Sequence, residues 1–409
     1  MMDLFTPGNI GPVTLRNRTI RSAAFEGMGK DNNPTPMLRD YHLSVAKGGV
    51  GMTTLAYAGI CRSALSFKTQ LWLRPEIVTP LREITDGIHS HGAKASIQIG
   101  HCGNMTHRST AGATPVGASS GFNLYSPTIV RGLRKDELKD MARCFGDAVR
   151  TARDAGFDCV EVHAGHGYLI SQFLSPYTNR RKDEYGGTLR QRMRFMQECM
   201  EEVMKAAGSD MGVIVKTNMR DGFKGGLEID ECIEVARELQ NLGAHALVLS
   251  GGFVSKAPMY VMRGEMPIYS MTHYMPQLWL KYGVRLFGKY MIPKAPFREL
   301  FFLEDAKLFR KELSMPLIYV GGVVSREGAD KVMDEGFDFI QMGRALLNEP
   351  DFVNRMKQEG SHRCGCDHVN YCIARMYSKE MACHKHLDNL PPAILKEIAD
   401  IRRRDGEQD

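Results

Sequence analysis

No apolar run in this chain of 409 residues approaches the ~18 residues that mark a membrane span, so no span is expected. The opening MMDLFTPGNIGP lacks the charged n-region and apolar core of a secretory signal. The expectation is therefore a cytoplasmic protein whose ten cysteines are reduced thiols. The net charge of +6 is modest and forms no basic stripe, which argues against nucleic acid as a partner, although it suits an anionic cofactor or substrate. Gly165 and Gly167 begin something like a dinucleotide fingerprint, but Ile170 stands where its third glycine belongs. No independent nicotinamide domain is expected.

What is present is an ordinary globular composition, 43% apolar and 24% charged, enough to bury one large core. Short β-branched runs recur at 18–24, 51–58, 94–100, 159–163, 213–217, 246–250, 317–320 and 339–342. They are of the buried type and alternate with helical stretches, of which 136–155, 189–207 and 228–242 read best, the last stopping at Gly243. Eight such units with no lone antiparallel run predict an α/β fold, a (β/α)8 TIM barrel with its site at the strands' C-terminal ends. Two long excursions, 102–134 after the third strand and 253–298 after the sixth, leave from that face as lids or pocket walls. Within the second, LWLKYGVRLFGKY (278–290) reads as a helix over the barrel mouth, with a membrane-surface patch as its rival. The expected division is a barrel over residues 1–360 and a Cys/His-containing extension over 361–409.

The richest stretch is FDCVEVHAGHGYLISQFLSP (157–176). A strand delivers His163, His166 and Tyr168 to its own exit. Two imidazoles can each offer an N–H to one substrate oxygen, and a tyrosine stays a donor near neutral pH. Zinc ligation with Glu161 and His101, or satisfied core histidines, are the competing readings. Gly321 and Gly322 in GGVVS, then Gly343 and Arg344, give two tight turns after the last two strands, where barrels hold phosphate. Gln98 ends the third strand as an amide donor and acceptor, for a ligand's polar edge or for structure alone. Lys216, a cation in the apolar strand VIVKTN, needs an anion, either a ligand or Glu161.

With LFTPGNIGPVTLRNR, SIQIGHCG, EVHAGHGYLISQFLSPYTNRRKDEYGGTLRQR, YVGGVVS and FIQMGRALLNEPDF in this order, the chain resembles the old yellow enzyme family over residues 3–355. The resemblance implies an NAD(P)H:flavin oxidoreductase or ene reductase that uses FMN and takes NAD(P)H as a transient reductant in the substrate pocket. It implies carbonyl binding by His163 and His166, proton delivery by Tyr168, FMN phosphate at Gly321, Gly322, Gly343 and Arg344, and the flavin ring at Gln98. Lys216 stands where the family usually carries arginine beside the ring. Ala23 and Ala24, followed by Phe25, replace the family's usual proline, methionine and small polar residue, so their expected flavin contacts are through the backbone. No metal is assigned to the barrel. The tail cysteines Cys364, Cys366, Cys372 and Cys383 depart from the iron–sulfur spacing of larger relatives, which leaves a cluster as an alternative. The expected partner is a small-molecule substrate, an activated alkene, with a homo-oligomer left open; a barrel that binds a phosphate ligand without turnover is the rival.

Overall fold

Eight parallel strands close a barrel in the computed structural model, which describes residues 3–275 and 277–406. Met1 and Met2 of the opening stretch and residues 407–409 of the expected extension lie outside the described residues. The strands are β1 (Thr19–Arg21), β2 (Met52–Gly59), β3 (Lys94–Gly100), β4 (Cys159–His163), β5 (Gly212–Asn218), β6 (Ala246–Ser250), β7 (Leu317–Val320) and β8 (Phe339–Met342). They pair in sequence order, and β8 closes on β1. β1 is shorter than the sequence predicts because the chain leaves the ladder after Arg21 and turns to line the cavity at the barrel mouth.

The helices follow from apolar spacing. Lys135–Asp154 buries Leu138, Ala142, Phe145, Val149 and Ala152, a stripe of helical period facing the sheet. Leu189–Ala207 starts with Thr188, whose hydroxyl accepts from Gln191 N while the Gln191 side chain returns to the Thr188 backbone. Ile229–Asn241 stops before Gly243, where φ of +87° ends the helix at little cost for a residue without Cβ.

The expectation of no antiparallel run needs correction. Gly8–Ile10 and Val13–Leu15 form an antiparallel hairpin, too short and turn-rich to announce itself in sequence. Its Ile10, Val13 and Leu15 pack with Ile20, Met52, Ile214, Val248, Ile318 and Phe339, residues from the strands' beginnings, and so stopper the barrel opposite its mouth. His89 lies at the same end, paired with Asp158 at 2.7 Å.

Both excursions carry secondary structure of their own. Residues 102–134 contain a three-stranded sheet, Val116–Gly117, Thr128–Gly132 and Gly121–Asn123, and residues 253–298 contain helices Pro258–Met262, Ile268–His273 and Leu278–Met291. Backbone groups lifted off the barrel bond one another there, since they have no ladder to join. Helix Leu278–Met291 turns Leu280, Val284 and Gly288 toward the cavity and leaves Trp279, Tyr282, Leu286 and Tyr290 exposed. The tail returns over the mouth. Cys364 N bonds to Val324 O at 2.8 Å, Met381 N to Glu26 O at 2.7 Å, and Asn370 Nδ2 to Arg263 O at 2.6 Å. Helix Pro392–Gly406 then sets Glu397 against the backbone N–H groups of Tyr269 and Ser270, both at 2.7 Å. No helix among the described residues is long and apolar enough to cross a membrane.

Candidate active site

At the mouth, the strand ends, both excursions and the tail enclose a cavity of about 1810 Å³. His163 ends β4, and the chain then turns through Ala164–Gly165–His166–Gly167. His166 sits at φ +58°, a left-handed conformation that a bulky residue adopts only when held. Asn218, at the end of β5, does the holding. Its Oδ1 accepts from His166 N at 3.0 Å, while its Nδ2 donates to Gly252 O at 2.8 Å and Asp221 Oδ1 at 2.9 Å. Gly167 cannot be replaced in kind, because a Cβ there would lie 2.5 Å from the Phe253 ring.

The turn brings the two imidazoles together, ring centres 5.1 Å apart and nearly perpendicular, with the Tyr168 ring 4.5 Å from that of His163. Burial, then His166 and Lys216, holds the His163 imidazolium well below its usual range. Burial and Lys216 likewise bring His166 down to about 3. Both rings are therefore neutral at physiological pH, each with one N–H to give. His163 Nδ1 accepts from Gly165 N at 3.4 Å, which puts its proton on Nε2. His166 Nε2 shares a 2.7 Å hydrogen bond with Ser250 Oγ, which lines the cavity too. Burial, with Tyr377 and Cys102 nearby, pushes Tyr168 up, and its hydroxyl bonds to no described residue. It is a held proton facing the cavity.

Below this set lies a buried polar cluster. Glu161 accepts from Gln98 Nε2 at 2.7 Å, from Gln341 Nε2 at 2.6 Å and from Lys216 Nζ at 2.8 Å; Ser22 Oγ donates to Gln341 Oε1 at 3.0 Å. Gln98 and Gln341 reach the cavity wall, whereas Lys216 stands one layer behind it, on Glu161. His101 is also turned away: its Nδ1 takes the Gly103 N–H and its Nε2 meets Ser63 Oγ.

At the far end, Gly321, Gly322, Gly343 and Arg344 line the cavity. The backbone N–H groups of Gly321, Gly322, Val323 and Gly343 make no hydrogen bond within the described residues, and a Cβ at Gly343 would meet open space. The helix start behind them is already engaged. Ser325 Oγ accepts from Gly328 N at 2.9 Å, and Glu299 Oε1 takes Val324 N at 3.2 Å. What is left to meet an anion at this end is the pair of glycine turns and the Arg344 guanidinium. His368, from the tail, lines the same end; its Nε2 is buried without a partner, and burial beside Arg344 brings its pKa down to about 3.

Residues 3–266 match the profile of the NADH:flavin oxidoreductase / NADH oxidase family. The chain belongs to this family. It is an FMN-binding, NAD(P)H-dependent flavin oxidoreductase on an old yellow enzyme fold. It is 37% identical to 4,4'-dithiodibutanoate disulfide reductase of Rhodococcus erythropolis, over 92% of this chain and 93% of that one. It is 34% identical to NADPH dehydrogenase of Listeria welshimeri, over 86% and 94%. Against NADH oxidase of Thermoanaerobacter brockii, 29% identical, the flavin oxidoreductase spans about half of the relative's length, 51%. Its fold superposes on the old yellow enzyme homologue of Zymomonas mobilis with TM-score 0.72 at 23% identity, covering 92% of this chain and 97% of that one.

The residues present fit FMN: free N–H groups and Arg344 for a phosphate, and Gln98 and Gln341 for a polar ring edge. Ala23 and Ala24 form part of the wall. Of the residues expected to serve catalysis or FMN, only Lys216 is off the wall; Glu161, His101 and the tail cysteines do not line it either. Ser22, Tyr57, Asn218, Ser250 and Gln341 were not singled out. Gln341, two residues before Gly343 in FIQMG, and Asn218, at a strand exit, carried the same kind of signal as Gln98. Among the described residues no three His, Cys, Asp or Glu side chains converge as a metal-ligand set. In the tail, Cys364 and Cys383 both touch Asn348, at 3.5 and 3.3 Å.

Proposed function

We propose that this flavin oxidoreductase reduces an activated alkene whose carbonyl oxygen is bound between His163 and His166. The observation that carries the reading is the Tyr168 hydroxyl, protonated and unengaged, beside two neutral imidazoles on one cavity wall. Bound FMN supplies the chemistry of accepting hydride from NAD(P)H and returning it to the second substrate. His163 gives its Nε2–H to the carbonyl oxygen. His166 and Ser250 share one hydrogen bond, so a second donor comes from whichever of them is not donating to the other. As enolate-like charge grows on that oxygen, these bonds strengthen, which lowers the barrier rather than merely tightening binding. Tyr168 then delivers its proton to the carbon next to the carbonyl. Gln98, Gln341, Gly321, Gly322, Gly343, Arg344, Ala23 and Ala24 would hold the cofactor, and Lys216 would bias the ring's charge from behind Glu161.

A second reading is supported by the relative named as a disulfide reductase. There the sulfur–sulfur bond accepts the hydride equivalent and breaks, one sulfur leaves as a thiol and Tyr168 protonates the departing thiolate. Anaerobic stopped-flow mixing tests both. FMN-loaded protein is bleached by NAD(P)H, then mixed with 2-cyclohexenone or with 4,4'-dithiodibutanoate. Rapid return of flavin absorbance with the enone supports the first reading. Return with the disulfide alone replaces it by the second, and return with neither rejects both.

A further inference from the structure

The cavity is charged in one sense. Over the chain, lysine and arginine outnumber aspartate and glutamate only by 53 to 47. On the cavity wall the same comparison is seven to one. The seven cations have different fates. Arg21 is neutralised by Glu26 at 2.6 Å in the barrel core. Arg344 belongs to the phosphate end. Lys30, Lys68, Arg180, Lys256 and Lys379 are exposed at the rim and form no ion pair among the described residues. The single carboxylate, Glu380, is held by Arg375. A wall of this kind, with apolar surfaces between the charges, concentrates anions in the mouth.

One of the five, Lys256, stands beside the catalytic turn, and Arg180 lines the same cavity. Lys256 follows Phe253 and Val254, and Val254 N bonds to His166 O at 3.0 Å, so this loop is fastened to the histidine. Its Nζ lies 5.0 Å from the Tyr177 ring centre, over a face that leaves the ammonium free to meet an anion. Arg180 comes from the loop leaving the Tyr168 segment. It spends one N–H on Ser120 O at 3.1 Å and keeps the rest of its fork. Lys30, Lys68 and Lys379 arise from segments around the Phe25–Phe67 stack and Tyr377.

We propose that the second substrate is an anion, carrying a carboxylate or equivalent group away from the bond that is reduced, and that Lys256 and Arg180 receive it. This rests on the reading of His163, His166 and Tyr168 above. The phosphates of NAD(P)H are the other anion that enters this mouth, and the two half-reactions separate the sources. The test uses FMN-loaded protein and two linear enones that differ only in a terminal carboxylate or its methyl ester. In the oxidative half-reaction the wild type prefers the acid by about tenfold or more in kcat/KM, and the preference falls as salt rises from about 0.05 to 0.5 M. In the double variant Lys256→Gln, Arg180→Gln the acid-to-ester ratio falls toward one through KM, and Lys256→Arg, Arg180→Lys restores it. Equal rates for acid and ester in the wild type overturn the proposal. So does a double variant that slows only flavin reduction by NAD(P)H, which would give the cations to the nicotinamide. If neither enone is turned over, the alkene reading fails by itself. Binding of 4-hydroxybenzoate against its neutral amide, followed by flavin absorbance, then still reads the anion preference. Equal affinity for the two rejects it.

Discussion

The floor and the roof of this site are built on opposite plans. On the floor, His163, Gln98, Glu161 and Lys216 come from β3, β4 and β5, whose parallel register sets Gln98 beside Glu161 and Lys216 beside His163. Their polar atoms are bonded to one another or turned into the cavity. The roof comes from two excursions and the tail, joined by contacts such as the 2.5 Å Tyr125–Tyr377 hydroxyl pair. It exposes Phe122, Leu124, Lys256 and Lys379. On the proposed reading, the groups that meet the reacting part of the substrate stand on or just after ladder-fixed strands, and those that receive its anionic end stand on segments that can differ without disturbing the ladder.

The sharpest test of that division is Tyr168→Phe. It removes one hydroxyl and should slow the oxidative half-reaction by about 10²–10⁴-fold while leaving flavin reduction close to wild type. Equal loss in both half-reactions, measured by stopped flow, would move Tyr168 from proton delivery to structure. Next in size is Glu161→Gln in the floor. It leaves the Lys216 ammonium buried without its carboxylate, and should cost the apoprotein about 3–5 kcal/mol by urea unfolding. FMN binding should recover part of this if Lys216 turns to the ring. A smaller effect is expected from replacing both His163 and His166 by Asn, which should weaken phenolate binding about tenfold, as the charge-stabilising donors are lost. Smallest is Tyr377→Phe in the roof, about 1 kcal/mol from one hydrogen bond, visible in KM or in proteolysis of the excursions before global unfolding.

Acidity sharpens the same contrast. His166 is a floor residue and His368 a tail residue, and burial depresses both to about 3. The unfolded chain binds those protons near pH ~6.5 while the folded one does not. Stability from these groups is therefore full above that pH and is lost progressively as pH falls toward 3. Replacing His166 with Gln should flatten the stability profile in this window; an unchanged slope would mean the imidazole is charged in the fold.

Much of the floor was legible in one dimension because its signals are local. A buried strand is a β-branched run, and an exit is a glycine or a polar residue at its end, so β3, β4 and β6 to β8 match their predicted ranges. Tyr168 and the glycine turns were readable for the same reason. Gln341 and Ser250 were not singled out because their importance lies in partners 180 and 84 residues away. The N-terminal hairpin escaped because its strands have three residues each, and apolar period cannot be read over so short a run.

The order of residues along the chain determined the strands, the helices between them, the polar exits and the two glycine turns, because each depends on neighbours within one element. Closure of the barrel decided the rest. Only when β8 pairs with β1 can Gln341, Gln98 and Lys216 converge on Glu161. Only when the tail crosses the mouth do scattered lysines face one cavity. Those arrangements rest on contacts between residues far apart in sequence, where burial and charge, not local spacing, set the outcome.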